Sequence, residues 1–178
     1  MEHIKPAERT GDEITPADFK QLIDNGEDLL ILDTRNEYEC KIGTFDNAID
    51  LDIRSFRDFP RAISELDDEL KDKQVVMFCT GGIRCEKASL VMMDAGFSNV
   101  KQLKGGILGY FEEVGGAHWN GDCFVFDRRV AVNPQLEETD VVQCFACREP
   151  LLLEEQESTD YVIAKSCSYC IDKVKSPN

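Results

Sequence analysis

Histidine is scarce in this chain: His3 and His118 are the only two. No two-histidine, one-carboxylate iron set can be assembled from them and a carboxylate at any recognisable spacing. There is no glycine-rich flavin fingerprint either. No apolar stretch approaches the roughly 20 residues of a membrane-spanning helix. No basic segment is followed by the apolar core of a secretory signal. The expected setting is therefore the cytoplasm, with no membrane partner. Basic residues are the minority, 20 Lys and Arg against 35 Asp and Glu, for a net charge of −15. Taken whole, that charge opposes non-specific binding to polyanions, and no DNA partner is expected.

What the chain does have is cysteine. Eight cysteines in a signal-less sequence, four of them in C-x2-C pairs, point to thiolate chemistry and metal binding rather than to a disulfide scaffold. The stretch that organises the rest runs from Gln74 to Ala88. Gln74–Phe78 is a short apolar, β-branched run and predicts a strand buried on both faces. From Arg84 the spacing of Ala88, Leu90, Val91, Met92 and Ala95 predicts a helix, which Gly96 ends. Between them lie Cys79 and the loop Thr80-Gly81-Gly82-Ile83. A loop entering a helix N-terminus aims free backbone N–H groups at its centre, and two glycines let it fold tightly. A thiolate at Cys79 would be stabilised by those amides and by Arg84. With no histidine near it, Cys79 would be activated by the loop and not by a general base. The cradle reads C-x4-R, one residue shorter than the C-x5-R phosphatase loop, and Phe78 precedes the cysteine instead of His. That size suits one extra sulfur atom. It resembles the rhodanese loop, which makes Cys79 a candidate persulfide carrier; the plainer reading is a buried cysteine in a glycine-rich turn.

At 178 residues one domain with a small appendage is the default. Residues 1–13 read as a polar, extended segment. Thr15 as N-cap, Pro16 and Asp18 start a helix with Phe19, Leu22 and Ile23 on its apolar face. Leu29–Leu32 reads as a strand ending on Asp33-Thr34-Arg35, where Asp33 and Arg35 would hold neighbouring loops. A short helix or turn follows at 37–43, a strand at 48–51 and a mostly helical segment at 55–70. A strand at 99–103 leads into a helix at 107–114. This alternation over 14–116 predicts an α/β domain with a mainly parallel sheet flanked by helices, whose ligand chemistry sits at the carboxyl ends of its strands. Residues 117–136 read as a linker and a packing strand, with Cys123 as a buried small residue and Asp127, Arg128 and Arg129 as a polar tip or turn. Arg54, Arg57 and Lys87 are candidates to meet phosphate or substrate. A local positive rim around Cys79 and a plain scatter of solvated charges both fit the sequence.

The second motif lies in 137–178. Cys144, Cys147, Cys167 and Cys170 form C-x2-C-x19-C-x2-C, within zinc-ribbon spacing. Each C-x2-C turn aims two sulfurs at one point, and two turns complete a tetrahedral four-sulfur site. Such a site suits structural zinc, with iron as the alternative. The polar stretch between the pairs cannot build a core, so a metal would staple this small C-terminal subdomain.

With both motifs in view, the chain resembles the rhodanese-containing tRNA hydroxylase family. The likeness is carried by Asp33-Thr34-Arg35-Asn36-Glu37-Tyr38-Glu39, Ile42-Gly43-Thr44-Phe45, Arg54-Ser55-Phe56-Arg57-Asp58-Phe59-Pro60, the run from Phe78 to Lys87, Leu103-Lys104-Gly105-Gly106-Ile107-Leu108, Cys123-Phe124-Val125-Phe126-Asp127 and the two cysteine pairs. The resemblance implies an oxygen-dependent enzyme that forms 5-hydroxyuridine at the tRNA wobble position, with Cys79 as its catalytic, persulfide-forming cysteine and molecular oxygen as co-substrate. It also implies a further N-terminal domain ahead of Met1 that helps to bind tRNA. The competing expectations are a thiosulfate or protein-persulfide sulfurtransferase using the same loop, and a non-enzymatic scaffold whose four-cysteine region binds a partner. Cys85, one turn into the helix, either resolves a Cys79 persulfide or is a packed thiol.

Overall fold

The computed structural model describes residues 10–172. Five parallel strands form the central sheet: β1 (Asp12–Ile14), β2 (Leu29–Asp33), β4 (Ile49–Asp50), β5 (Gln74–Phe78) and β6 (Asn99–Leu103), in the order β1-β6-β5-β2-β4. β5 is the central strand, and its side chains alternate between two layers. Val76 and Phe78 join the cluster holding Phe19 of α1 (Pro16–Asp24) and Ile107, Tyr110 and Phe111 of α5 (Gly106–Val114). Val75 and Met77 join the opposite cluster, with Phe59 and Ile63 of α3 (Phe59–Ser64) and Ala88 and Met92 of α4 (Ile83–Asp94). Helices on both faces explain why β5 reads as a continuous apolar run and not as an alternating one. The expected α/β architecture with a parallel sheet is thus what the chain adopts.

Three segments depart from the sequence reading. Asp12–Ile14 is not merely extended: it pairs with Lys101–Leu103 as the edge strand. The rest of the expected N-terminal segment, residues 1–9, lies outside the described residues. The segment 55–70 is no single helix. It breaks into a 3-10 turn at Phe56–Asp58, α3, and a second 3-10 turn at Asp68–Asp72. Ser55 and Asp67 each cap a new turn by accepting a backbone N–H, from Arg57 and Glu69, so the chain restarts where one helix would have continued.

Of the expected linker and packing strand at 117–136, the strand packs on the body as expected, while the linker portion is itself part of the fold. β7 (Trp119–Gly121) pairs antiparallel with β3 (Gly43–Phe45), and Trp119 is buried among Phe45, Phe78 and Phe111. The run from 123 to 132 is a hairpin: β8 (Cys123–Phe124) and β9 (Ala131–Val132) pair antiparallel, with Asp127, Arg128 and Arg129 at its turn. Cys123 is fully buried, and that burial pushes its thiol up to about 12. Beyond it, β10 (Val142–Gln143) and β11 (Pro150–Leu151) pair beneath the cysteine cluster, followed by α6 (Leu153–Gln156). Asp33 and Arg35 hold neighbouring segments as expected: fully buried and paired at 2.6 Å, Arg35 donates to the Gly43 carbonyl at 2.6 Å and Asp33 accepts the Thr44 hydroxyl at 2.9 Å, while the guanidinium lies over the Trp119 ring.

Candidate functional site

Cys79 follows directly on β5, at the carboxyl end of the sheet, and is 2% exposed. The chain turns through Gly82, whose φ of +93° is the left-handed conformation that suits glycine, and enters α4. The tight turn brings the Gly82 amide back to donate to Cys79 Sγ at 3.1 Å. A second glycine-bearing loop closes from the other side. At the start of α5, the amides of Ile107 and Leu108 donate to the carbonyls of Cys79 and Thr80 at 3.0 and 3.1 Å. That approach requires Gly106, where an added Cβ would sit 2.4 Å from the Cys79 carbonyl oxygen. The pattern strand, Gly-Gly, helix occurs at both loops and is visible in the sequence, but only Gly81-Gly82 reads as part of the site there.

The electrostatics favour a thiolate. The Cys79 thiol is held down to about 6, chiefly by the Cys85 thiol that faces it; burial opposes this, and the Arg84 charge and the Arg84 and Cys85 amides add to it. The Cys85 thiol is pushed well above its ordinary value, first by the Cys79 thiolate and then by burial. The pair thus holds one negative charge, on Cys79, with the proton kept on Cys85. Cys85 Sγ also lies 3.8 Å from the Thr34 hydroxyl, which donates to the Phe78 carbonyl at 2.9 Å. A cysteine ionised at neutral pH beside a loop of amides is nucleophilic. The nearest described histidine gives no help, because His118 is paired with Asp24.

Arg84 supports the thiolate through its charge while bonding elsewhere. Its guanidinium is gripped by the fully buried Glu39 through two bonds of 2.7 Å. Glu39, on α2 (Glu37–Cys40), also accepts the Asn36 amide, and its Oε1 lies 3.4 Å from the Thr80 hydroxyl. Thr80 Oγ1 is also 3.3 Å from the Phe124 carbonyl, so only the backbone of Thr80 is left to the cradle. Gly81 and Ile83 line an open hollow of about 620 Å³ beside the loop. Of the other basic candidates, one is bonded elsewhere and two are solvent-exposed. Arg54 pairs with Glu37 at 2.7 Å and borders a separate hollow of about 410 Å³ with Asp50, Asp52 and Glu149. Arg57 and Lys87 are exposed, on the 3-10 turn and on α4. Sequence reasoning missed the parts played by Glu39 and Thr34. Glu39 is 45 positions from the arginine it holds, so no local spacing announces it.

The four cysteines of the tail do converge. Their sulfurs all lie within 4.8 Å of one another. Cys147 and Cys167 are 3.6 Å apart, Cys167 and Cys170 3.8 Å, and Cys144 and Cys170 3.9 Å. A tetrahedral ion with metal–sulfur bonds of about 2.3 Å requires sulfurs about 3.8 Å apart, so the residues fit a four-thiolate metal centre.

A family model for the rhodanese-like domain matches residues 15–113. The chain belongs to the rhodanese-like domain family. The tRNA uridine(34) hydroxylase of Cupriavidus metallidurans is 50% identical over 177 residues, 97% of this chain and 63% of that protein. The namesake from Burkholderia cenocepacia J2315 is 56% identical over 147 residues, 83% of this chain and 52% of that protein. The chain therefore spans less than two thirds of the length of these relatives. Among solved structures, the rhodanese-like domain of an Anabaena protein superposes with a TM-score of 0.50 at 23% identity, covering 66% of this chain and 80% of that one, which shows the shared fold. In the rhodanese-like domain, Cys79 occupies the end of the central strand, and the cysteine cluster and the hairpin at 123–132 lie outside the matched residues.

Proposed function

We propose that this chain is the rhodanese and metal-binding part of an oxygen-dependent tRNA hydroxylase that forms 5-hydroxyuridine at wobble position 34, with Cys79 as its catalytic cysteine. The observation that carries this reading is the 50% identity to the Cupriavidus metallidurans tRNA uridine(34) hydroxylase over 97% of the chain. The ionised Cys79 in a four-residue loop supports a persulfide on that sulfur, since the ring of amides is small. Thr80 to Ile83 supply the backbone of the cradle, and Arg84 supports it from behind through its charge. Arg54, Arg57 and Lys87 remain contacts for phosphate or substrate at a distance from the sulfur. The four-cysteine cluster holds structural zinc, molecular oxygen is the co-substrate, tRNA is the partner and the cytoplasm is the setting.

A thiosulfate or persulfide sulfurtransferase is the second reading, and the activated thiol alone favours it. Nucleoside mass spectrometry of tRNA separates the two. Cells lacking 5-hydroxyuridine would express the protein or its Cys79→Ala variant. We expect the modified nucleoside with the first and none with the second. A well-expressed protein that yields none, yet transfers sulfur from thiosulfate, would replace the hydroxylase reading with the sulfurtransferase.

A further inference from the structure

Two exposed aromatic rings each have a guanidinium over them, and the arginine at the first, Arg84, is the residue that ends the Cys79 loop. Phe126 is 67% exposed at the start of the 123–132 hairpin turn, although a lone phenylalanine gains nothing from solvent. The Arg84 guanidinium lies over its ring at 5.6 Å from the centroid. The Phe124 ring meets it edge-on at 5.1 Å. Neither neighbour is free to swing: Arg84 is fixed by Glu39, and Phe124 is buried, with its carbonyl against the Thr80 hydroxyl. Phe126 is therefore set in place relative to Cys79. The second ring is Phe145, 66% exposed in the turn between Cys144 and Cys147. The Arg148 guanidinium lies over it at 5.3 Å. The Arg148 amide donates to the Cys144 carbonyl, and the Cys144 amide to the Glu149 carbonyl, so this pair is fixed by the cysteine turn. A hollow of about 180 Å³ beside the first ring is lined by Phe124, Val125, Phe126, Asp127, Val130 and Gln143. Gln143 in turn donates to the Arg148 carbonyl at 2.8 Å.

We infer that Phe126 with Arg84, and Phe145 with Arg148, are two stacking platforms for unpaired bases of an RNA loop, the first of them resting on the arginine that ends the Cys79 loop. The inference rests on the hydroxylase reading for its direction: a base that is to be modified must be unstacked and presented singly. Aromatic faces backed by arginine are what unpaired bases stack on. A protein-docking surface would instead make one contiguous apolar patch, whereas the first ring runs straight into the polar turn of Asp127, Arg128 and Arg129 and the second sits alone in the Cys144–Cys147 turn. The charge agrees. A body of −15 cannot hold RNA by broad attraction to phosphate, so affinity has to come from a few stacked bases with Arg84, Arg128 and Arg148 close by.

The test uses a synthetic stem-loop RNA with an unpaired, uridine-containing loop, and a fully paired duplex of the same composition. Binding to the whole chain is measured by fluorescence anisotropy for wild type, Phe126→Ala, Phe145→Ala, the double variant, Phe126→Tyr and Phe145→Tyr. Each Ala variant is expected to bind the stem-loop about ten-fold more weakly, the double variant to lose both factors, and the Tyr variants to bind as wild type. The duplex is bound weakly throughout. Melting followed by Trp119 fluorescence confirms that the variants fold. Stem-loop binding that is undetectable in wild type, or equal in wild type and the Ala variants, overturns the platforms. So does loss of a protein partner with RNA binding unchanged. The two readings fail separately: if wild type makes no 5-hydroxyuridine but the Ala variants still lose the stem-loop, the platforms stand and the hydroxylase does not.

Discussion

Cys79 is ionised without a histidine, and the reason is the number of donors aimed at one sulfur. Burial alone would push a thiol up. Here the facing Cys85 thiol, the Arg84 charge and the backbone amides together outweigh burial and bring it to about 6. Because the pKa is lowered, the thiolate is half formed near pH 6 and nearly complete at pH 7. The rate of iodoacetamide alkylation should therefore rise through pH 6, far below the ordinary thiol range of about 8.5. Cys85→Ala removes the largest stabilising partner, so the midpoint should move up by a unit or more on the order of such couplings. A midpoint unchanged by Cys85→Ala would assign the effect to the amides and Arg84 alone. Sequence showed Cys79, its loop and Arg84 because these are neighbours in the chain. It did not show that Glu39 captures Arg84, since that contact is made only when α2 is brought against the loop. Nor did it show that Arg54 turns to Glu37.

The two glycine loops act as one element. The Cys79 loop would be under-determined on its own, and α5 clamps it by donating two amides to its carbonyls. Gly106 makes this possible, with φ of +61° and the Cys79 carbonyl oxygen 2.4 Å from any Cβ placed there. Gly106→Ala must both strain the backbone and push the loop away. We expect a loss of about 1–3 kcal/mol in urea unfolding together with a rise in the Cys79 alkylation midpoint. Gly81→Ala is the control. Its Cβ would meet nothing within 4 Å, so its stability should stay within about 0.5 kcal/mol of wild type. Equal losses in both variants would mean that α5 does not clamp the loop. The strands and helices that pack on two apolar layers were legible from their periodicity. The segment 55–70 was not, because its caps at Ser55 and Asp67 compete with helix continuation and only tertiary packing of Phe59 and Ile63 decides where the turns break.

At the scale of the molecule, the cysteine-bearing tail packs on the rhodanese-like body, where Val141 and Leu152 join Ile42 and Phe124 in one apolar cluster. The rhodanese-like body has its own core, with the single tryptophan, Trp119, buried in it. The cysteine cluster has a separate core of Cys144, Leu151, Cys167 and Cys170. Lys41 ties them: it donates to the Pro150 carbonyl and the Tyr169 hydroxyl, each at 3.0 Å, and lies over the Tyr169 ring at 4.2 Å. The cysteine spacing was legible because C-x2-C fixes sulfur geometry locally. The place of residues 117–121 was not, because Trp119 reaches the core through pairing with β3, which follows from register and not from pattern. The difference in core size decides what metal removal does. A core of four residues cannot offset its own ordering entropy, whereas a structural zinc site contributes roughly 10–16 kcal/mol. Stripping the ion with a strong chelator should therefore unfold residues 142–172 and open them to protease, while Trp119 emission stays that of a buried ring. The purified protein should carry one zinc per chain by elemental analysis, and Cys147→Ser should reproduce the chelated state. If Trp119 emission shifts to the red at the chelator concentration that opens the tail, the two units fold as one, and the Lys41 contacts are part of a shared core instead of a joint between two.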